Sequence, residues 1–79
     1  MRYRLLYFAS LADRAGRAEE ARESAARTPR VLYADVAASH GFGFAPERLR
    51  VAVNGAFVDW DHVLADGDEV VFLPPVSGG

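Results

Sequence analysis

The dipeptide Asn54-Gly55 stands between two short apolar runs, and it constrains the fold more than any other feature of the sequence. Residues 49–53 alternate in polarity as a half-buried strand does, and residues 56–58 are apolar. Asn and Gly both tolerate positive φ, so this pair favours a type I′ turn between antiparallel strands. The sequence therefore predicts a hairpin with strands near residues 49–54 and 56–58.

Two more strands are predicted near the two ends of the chain, where runs of Leu, Val, Phe or Tyr are bounded by turn residues. Residues 2–9 read RYRLLYFA and end before Ser10. Residues 69–73 read EVVFL, follow the DGD turn at residues 66–68, and end at Pro74-Pro75, where neither proline can donate to a ladder. Both strands are apolar enough to occupy the centre of a sheet.

A helix is predicted over residues 29–40. Thr28 can cap its N-terminus, Pro29 suits the first helical position, and Gly41 suits the left-handed position at its end. Residues 10–17 and residues 41–47 (GFGFAPE) are expected to be loops or turns, because Gly, Asp and Pro punctuate them. The buried stripe of the helix is expected to contain Val31, Leu32, Val36 and Ala38.

Residues 18–27 read AEEARESAAR, and two structures suit this composition. Ala, Glu and Arg favour a helix on propensity alone. A short edge strand would have the same composition, because charged side chains protect a sheet edge from pairing with other chains.

Composition excludes several classes of function. The 79 residues suit one domain, and 51% hydrophobic with 25% charged residues is a globular composition. A net charge of -2 argues against a nucleic-acid-binding module, which needs a basic face. Cys is absent and all nine basic residues are Arg, which excludes disulfides, a side-chain persulfide and lysine chemistry. No signal peptide or run of ~20 apolar residues is visible, so we expect a cytoplasmic protein with no membrane partner.

Isolated polar residues do not form a recognisable catalytic or metal pattern. His40 and His62 are single and far apart in sequence, so no metal site is expected. Asp59 and Asp61 flank Trp60 and could in principle be paired carboxylates for acid–base work. A solvated turn, with the indole packed on the domain, is the preferred interpretation.

Two stretches of the sequence carry a resemblance to a known family. VAVNGAFVDWDHVLADGDEVVFLPPVSGG, residues 51–79, closely resembles the end of the molybdopterin synthase small subunit. RLLYFASLADRAG, residues 4–16, resembles the first strand and loop of that family. The DGDEV turn and the ending PPVSGG are the most specific parts, whereas residues 18–48 match poorly.

The family has the ubiquitin-like β-grasp fold, so the resemblance implies a strand rather than a helix at residues 18–27. The order strand, strand, helix and three strands then gives an α+β fold, in which one main helix packs across a mixed sheet. We expect a β-grasp domain over residues 1–73 and a flexible C-terminal Gly-Gly tail over residues 74–79.

The resemblance also implies that Gly79 is the catalytic residue. An adenylating, ubiquitin-activating-type enzyme would use ATP to activate its carboxylate, which would become a thiocarboxylate. That group would donate sulfur to cyclic pyranopterin monophosphate, forming the molybdopterin dithiolene. The large subunit of the synthase would hold the pterin-binding active site. This chain would then be a non-autonomous sulfurtransferase subunit that binds no cofactor, metal or nucleic acid itself.

The residue types of the tail suit insertion into a partner. Glycines lack Cβ and can thread a narrow tunnel, and Pro74-Pro75 hold the first part of the tail extended. Residues 74–79 can span at most ~20 Å. The expected partner-binding residues are Leu73, Pro74, Pro75, Val76, Ser77 and Gly78, with Phe8 or Phe57 nearby.

Other functions are compatible with the same residues. A sulfur carrier for thiazole or another thiolated metabolite shares the fold and the Gly-Gly end, although it typically lacks the preceding Pro-Pro. A ubiquitin-like protein modifier or interaction module would begin with the same activation and join Gly79 to lysines of other proteins. A β-grasp binding domain with an idle tail is the remaining alternative.

Overall fold

A computed structural model describes residues 1–74 of the chain, and in this part five strands form a single mixed sheet. The strands lie in the order β2-β1-β5-β3-β4; β1 and β5 run parallel, and the other neighbours are antiparallel. The predicted α+β architecture is confirmed, with β5 at the centre. In chain order the elements are β1 (Arg2–Tyr7), α1 (Ala9–Ala15), β2 (Glu19–Glu23), α2 (Pro29–His40), a 3-10 turn (Pro46–Arg48), β3 (Arg50–Val53), β4 (Ala56–Val58) and β5 (Glu69–Leu73).

The predicted hairpin is confirmed, and its turn is tied to the start of β5. Asn54 and Gly55 have φ of 51° and 87°, the left-handed values that a type I′ turn requires. The Asn54 side chain accepts a hydrogen bond from the Glu69 backbone N–H at 2.9 Å and donates one to Asp68 at 2.9 Å. One asparagine therefore links the β3–β4 turn to the turn that precedes β5.

Helix α2 has the predicted bounds and caps. The Thr28 hydroxyl accepts a hydrogen bond from the Val31 backbone N–H at 3.4 Å, and Gly41 ends the helix with φ of 71°. The predicted burial of Val31 and Ala38 is wrong, because both are exposed. They lie seven residues apart and share the solvent side, whereas the buried stripe follows the spacing i, i+3, i+4, i+7. That stripe consists of Pro29, Leu32, Tyr33 and Val36.

The predicted loop at residues 10–17 is wrong, because helix α1 occupies most of it. Strand β1 accordingly ends at Tyr7, two residues earlier than predicted. No capping side chain precedes α1, so the sequence carries no start signal. The helix forms because Leu11 buries its side chain in the core, and Gly16 ends it with φ of 75°.

Strand β2 is the edge strand that the family resemblance implied. Its exposed and half-buried residues alternate, as a strand requires and a helix does not. The half-buried side chains of Glu20 and Arg22 point to the side of the sheet that α2 covers, where they form ion pairs. Propensity favoured a helix here because it cannot anticipate such tertiary pairing.

One core cluster fills the space between the sheet and the two helices. The β1 side chains of Tyr3, Leu5 and Tyr7 contribute to it, and each is at most 2% exposed. The other members of the cluster are Leu11, Ala26, Leu32, Tyr33, Val36, Leu49, Val51, Val53, Leu64, Val70 and Phe72.

Within residues 1–74, no helix has the length and apolar character needed to cross a membrane.

Candidate functional site

The base of the predicted tail lies at the end of the central strand. Strand β5 ends at Leu73, and Leu73 and Pro74 are both half-buried. Leu73 is in register with Arg50 at the start of β3. Because β5 has strands on both sides, the point where the tail begins is fixed to the sheet. The remaining predicted site residues, Pro75, Val76, Ser77, Gly78 and Gly79, lie outside the described residues.

The side of the sheet opposite the helices carries a row of apolar side chains. Leu6 is in register with Val71, Val71 with Ala52, and Ala52 with Phe57, so one residue from each of β1, β5, β3 and β4 forms the row. Alternation along the strands points these residues away from the core, since their neighbours Tyr7, Phe72, Val51 and Val53 belong to it. We call this row, with Phe8 and Leu73, the open face.

The open face exposes aromatic rings on both sides of β5. Phe57 is 63% exposed, and the Arg50 guanidinium lies over its ring at 4.8 Å from the centroid, a cation–π contact. Phe8 is 49% exposed and follows Tyr7, which is in register with Phe72, so Phe8 lies level with Leu73. Aromatic residues, including Phe, are enriched at the cores of protein–protein interfaces.

Trp60 packs on the domain as predicted. Its indole stacks on the Phe72 ring with centroids 5.9 Å apart and planes 5° apart. The neighbouring Asp61 carboxylate pairs with Arg30 at 3.2 Å, and both side chains are at least half exposed. Trp60 therefore packs against the core side of β5. The Asp61 carboxylate is poorly suited to act as a general base, because it is exposed and paired with an arginine.

The acidic residues of the turn before β5 have structural partners. Asp66 accepts a hydrogen bond from the Arg2 backbone N–H at 2.7 Å, and Asp68 accepts one from the Ala65 backbone N–H at 2.8 Å. Among residues 1–74, no group of three or more His, Cys, Asp or Glu side chains could hold a metal ion.

A polar cluster that the sequence did not indicate lies between β2 and the end of α2. The Glu20 carboxylate pairs with His40 at 2.8 Å and with Arg22 at 3.2 Å, and Arg22 also reaches Asp35 at 3.3 Å. Burial raises the pKa of Glu20, but hydrogen bonds from Tyr7 and His40 and the charges of His40 and Arg22 outweigh it, so the pKa is lowered overall. Among residues 1–74, no buried side-chain nitrogen or oxygen lacks a hydrogen-bond partner, and the pairs of Glu20 and Arg22 with His40 and Asp35 join the edge strand to the helix.

A family model described as ThiS family matches residues 5–79, which is almost the whole sequence. The chain belongs to the ThiS family. The match continues through the tail to Gly79, so the membership covers the predicted carrier segment as well as the β-grasp domain.

Known relatives of this ThiS-family chain include a curated sulfur carrier. The molybdopterin synthase sulfur carrier subunit of Escherichia coli strain K12 is 43% identical over 81 aligned positions, which cover 96% of this chain and 98% of that protein. Among solved structures, SAMP1 from Haloferax volcanii is 26% identical, with a TM-score of 0.82 and full coverage of both chains. A complex of subunits 1 and 2 of molybdopterin-converting factor from Helicobacter pylori contains a chain of the same fold, 24% identical with a TM-score of 0.69 and full coverage of both chains.

The structure brings together part of the predicted binding set of this ThiS-family chain. Leu73 lies on the open face with Phe8 and Phe57, and Pro74 follows directly. Leu6, Val71 and Ala52 also contribute to this face, and none of them was predicted from the sequence. Alternation along the strands was the available signal, since the residues that adjoin a buried position along a strand face the opposite side of the sheet. Arg50 was missed too, because only the strand register brings it level with Leu73.

Proposed function

We propose that this chain is the sulfur carrier subunit of a molybdopterin synthase. The observation that carries the proposal is the 43% identity with the Escherichia coli sulfur carrier subunit across nearly the whole of both chains. Family membership through residue 79 is consistent with it, because the match includes the terminal Gly-Gly.

The chemistry proposed for Gly79 proceeds in two transfers. An oxygen of its carboxylate attacks the α-phosphate of ATP in an adenylating, ubiquitin-activating-type partner, and pyrophosphate leaves. Hydrosulfide then attacks the acyl carbon, the bond to AMP breaks with its electron pair leaving on AMP, and a thiocarboxylate is formed. The thiocarboxylate sulfur attacks cyclic pyranopterin monophosphate, and water then cleaves the bond between that sulfur and the glycyl carbon, which leaves the sulfur on the pterin and regenerates the Gly79 carboxylate. ATP is consumed on the activating partner, and the carrier itself holds no cofactor.

The fold is consistent with two parts of different function. The β-grasp domain of residues 1–73 would bind the partner, and the tail of residues 74–79 would carry the sulfur. In the described part of the chain, residues 1–74, Leu73 is the last residue that pairs within the sheet. An extended tail of six residues can span at most ~20 Å from that point. This length suffices for Gly79 to enter a partner's active site while the domain stays outside.

The proposed stable partner is the large subunit of the synthase, with the open face as the docking surface. The Escherichia coli relative is by name a subunit, and the Helicobacter pylori structure holds two subunits together. Exposed Phe57 and Phe8 supply apolar area on either side of the tail base. We place the reaction in the cytoplasm, with a pterin as the acceptor of sulfur. We expect the chain to bind neither a nucleic acid nor a membrane.

Reconstitution tests this proposal directly. The full chain is mixed with its large subunit, the activating enzyme, ATP, a sulfur source and cyclic pyranopterin monophosphate, and dithiolene formation is measured. Intact-mass measurement of the chain before the pterin is added should reveal the mass gained when one sulfur replaces one oxygen. A chain that stays a carboxylate throughout, while the activating enzyme works on a control carrier, contradicts the proposal.

The second candidate is protein modification, and a specific likeness favours it. SAMP1 of Haloferax volcanii, a small archaeal modifier protein, covers this chain fully at 26% identity. Intact-mass analysis of the chain purified from its host distinguishes the functions. A thiocarboxylate indicates a carrier, and larger covalent adducts on other proteins indicate a modifier. Co-purification with a large synthase subunit then separates the pterin pathway from a thiazole carrier.

A further inference from the structure

Ala9 has a backbone conformation that an alanine rarely adopts. Its φ is 50°, in the left-handed region. The methyl group of an alanine is crowded against the backbone there, whereas glycine has no Cβ and asparagine tolerates the region. A strained conformation persists only where its surroundings impose it, and such positions cluster at functional sites. Among residues 1–74, the other residues with positive φ are Asn54, Gly16, Gly41, Gly55 and Gly67.

Buried residues on both sides hold Ala9 in this conformation. Tyr7 is the last residue of β1 and is 2% exposed, and Leu11 in α1 is 1% exposed. The Leu11 backbone N–H donates a hydrogen bond of 3.0 Å to the Phe8 carbonyl. Between the two buried side chains, the three exposed residues 8–10 turn the chain from the strand into the helix. A change of φ from 50° to about -60°, the ordinary helical value, would rotate the chain by about 110° and take Tyr7 or Leu11 out of the core.

This junction sets the direction of the Phe8 ring. Phe8 has φ of -126° and ψ of 152°, so the extended geometry of β1 continues through it. Side chains alternate along an extended chain, which places Phe8 on the same side of the sheet as Leu6, the open face. Phe8 is 49% exposed and does not belong to the core cluster. The backbone of the junction therefore directs the ring.

A glycine at position 9 would relieve the strain, but it would also loosen the junction. Glycine adopts left-handed and right-handed conformations about equally well, so it has more backbone freedom than alanine. An alanine between fixed ends leaves fewer backbone combinations open. A side chain that is already held in its bound position loses less conformational entropy when a partner docks. The alanine thus lowers stability slightly and keeps the exposed ring rigid.

We propose that Ala9 is a positioning residue for partner docking, and that its strained backbone holds the Phe8 ring in the orientation in which it meets the large subunit. This inference rests on the proposed function, because the open face is the proposed docking surface. It adds that affinity at this surface depends on the rigidity of residue 9 as well as on the apolar area of the ring.

The first test uses the free chain and needs no partner. NMR relaxation gives backbone order parameters for residues 8 and 9 in wild type and Ala9→Gly. Wild type should give about 0.85, the value of a rigid backbone, and Ala9→Gly should give about 0.6 or less. The melting temperature of Ala9→Gly should not fall, because relief of the strain offsets the added freedom of glycine in the unfolded chain.

Ala38→Gly is the matched control for stability. Ala38 is exposed on α2, where glycine is unfavourable, so this variant should melt at a lower temperature than wild type. The same chemical change is therefore expected to destabilise the helix at position 38 and not the junction at position 9.

The second test measures binding of the full chain to the purified large subunit by calorimetric titration. Phe8→Ala should weaken binding by about tenfold or more, the usual effect of losing an interface anchor. Ala9→Gly should weaken it by about threefold to fivefold, which corresponds to the extra backbone freedom of glycine. Ala38→Gly should bind as wild type does. In the Phe8→Ala background, Ala9→Gly should have almost no further effect, because it acts through the ring.

Four results would overturn the proposal. One is an Ala9→Gly chain whose order parameters and affinity equal those of wild type. Another is a melting temperature of Ala9→Gly that falls as far as that of Ala38→Gly, since Ala9 would then not be strained. The third is wild-type affinity in Phe8→Ala. The fourth is a loss with Ala9→Gly that persists in the Phe8→Ala background, since the Ala9 methyl group would then be the contact.

These outcomes are separate from those of the proposed function. None of the measurements involves sulfur, and the reconstitution assay alone judges sulfur transfer. A chain that transfers sulfur but has a flexible, dispensable Phe8 would contradict only the role of Ala9.

Discussion

The Tyr7 hydroxyl donates a 2.7 Å hydrogen bond to the Glu20 carboxylate, and this bond joins the core strand β1 to the edge strand β2. The Glu20 side chain is 13% exposed, so the bond is largely shielded from water. Edge strands depend on such side-chain contacts, because only one of their backbone edges is paired.

We expect Glu20→Gln to lower the free energy of unfolding by about 1–3 kcal/mol at neutral pH, because it removes the charge that strengthens the hydrogen bonds from Tyr7 and His40 and the pair with Arg22. The folded-state pKa of Glu20 is lowered. Its stabilising contribution is therefore present above the unfolded-state pKa of about 4.3 and is lost as the pH falls through the folded value. Urea unfolding of both proteins, at neutral pH and at a series of acidic pH values, measures the difference.

The matched control is Glu47→Gln, in the exposed 3-10 turn, which should change stability by less than ~0.5 kcal/mol. The difference between wild type and Glu20→Gln should shrink in acid. A difference that stays constant or grows as the pH falls would disprove the assigned role of the ionised carboxylate.

Thr28→Ala should destabilise the protein by about 0.5–1 kcal/mol, the lower part of the range for an N-cap. The hydrogen bond from the Val31 N–H is 3.4 Å long, which is why the lower part is expected. Thr28→Ser keeps the hydroxyl and should retain most of the stability. Equal losses in the two variants, measured by urea unfolding, would exclude capping as the cause.

Much of the fold could be predicted from the sequence because local chemistry and tertiary packing agree there. Asn54-Gly55 specifies its turn locally, and Thr28 and Gly41 mark both ends of α2. Helix α1 was missed because it lacks a cap and depends on burial of Leu11 for its stability. Strand β2 needed the family resemblance, since its inward side is formed by charged residues whose partners on β1 and α2 are distant in sequence.

The candidate site could be predicted from the sequence only in part. Leu73 and Pro74 were identified because they precede the Gly-Gly end in sequence. The position of Arg50 beside Leu73 depends on the register of β3 with β5, which joins residues more than 15 positions apart in sequence. No single-sequence pattern states which strand neighbours β5, so this part of the open face required the structure.

Phe57→Ala should weaken binding to the large subunit by about 2 kcal/mol, since exposed aromatic residues at an interface centre carry much of the binding energy. Its effect on stability should stay within ~0.5–1 kcal/mol, the value of an exposed cation–π contact with Arg50. Val63→Ala is the control, because Val63 is 75% exposed but lies outside the strands of the open face. Calorimetric titration that finds equal affinities for Phe57→Ala and Val63→Ala would move the docking surface elsewhere.

Removal of Gly79, or addition of one residue after it, tests the central claim most directly. Dithiolene formation is measured with purified large subunit, activating enzyme, ATP and a sulfur source, beside a thermal melt of each variant. Stability should change by less than ~0.5 kcal/mol, as for a surface change away from the core. One residue moves the carboxylate by up to ~3.5 Å, and reacting atoms must lie ~3–3.5 Å apart, so both variants should lose sulfur transfer. A Gly79 deletion that supports turnover near the wild-type rate would contradict the account, because the tail would then not be the sulfur carrier.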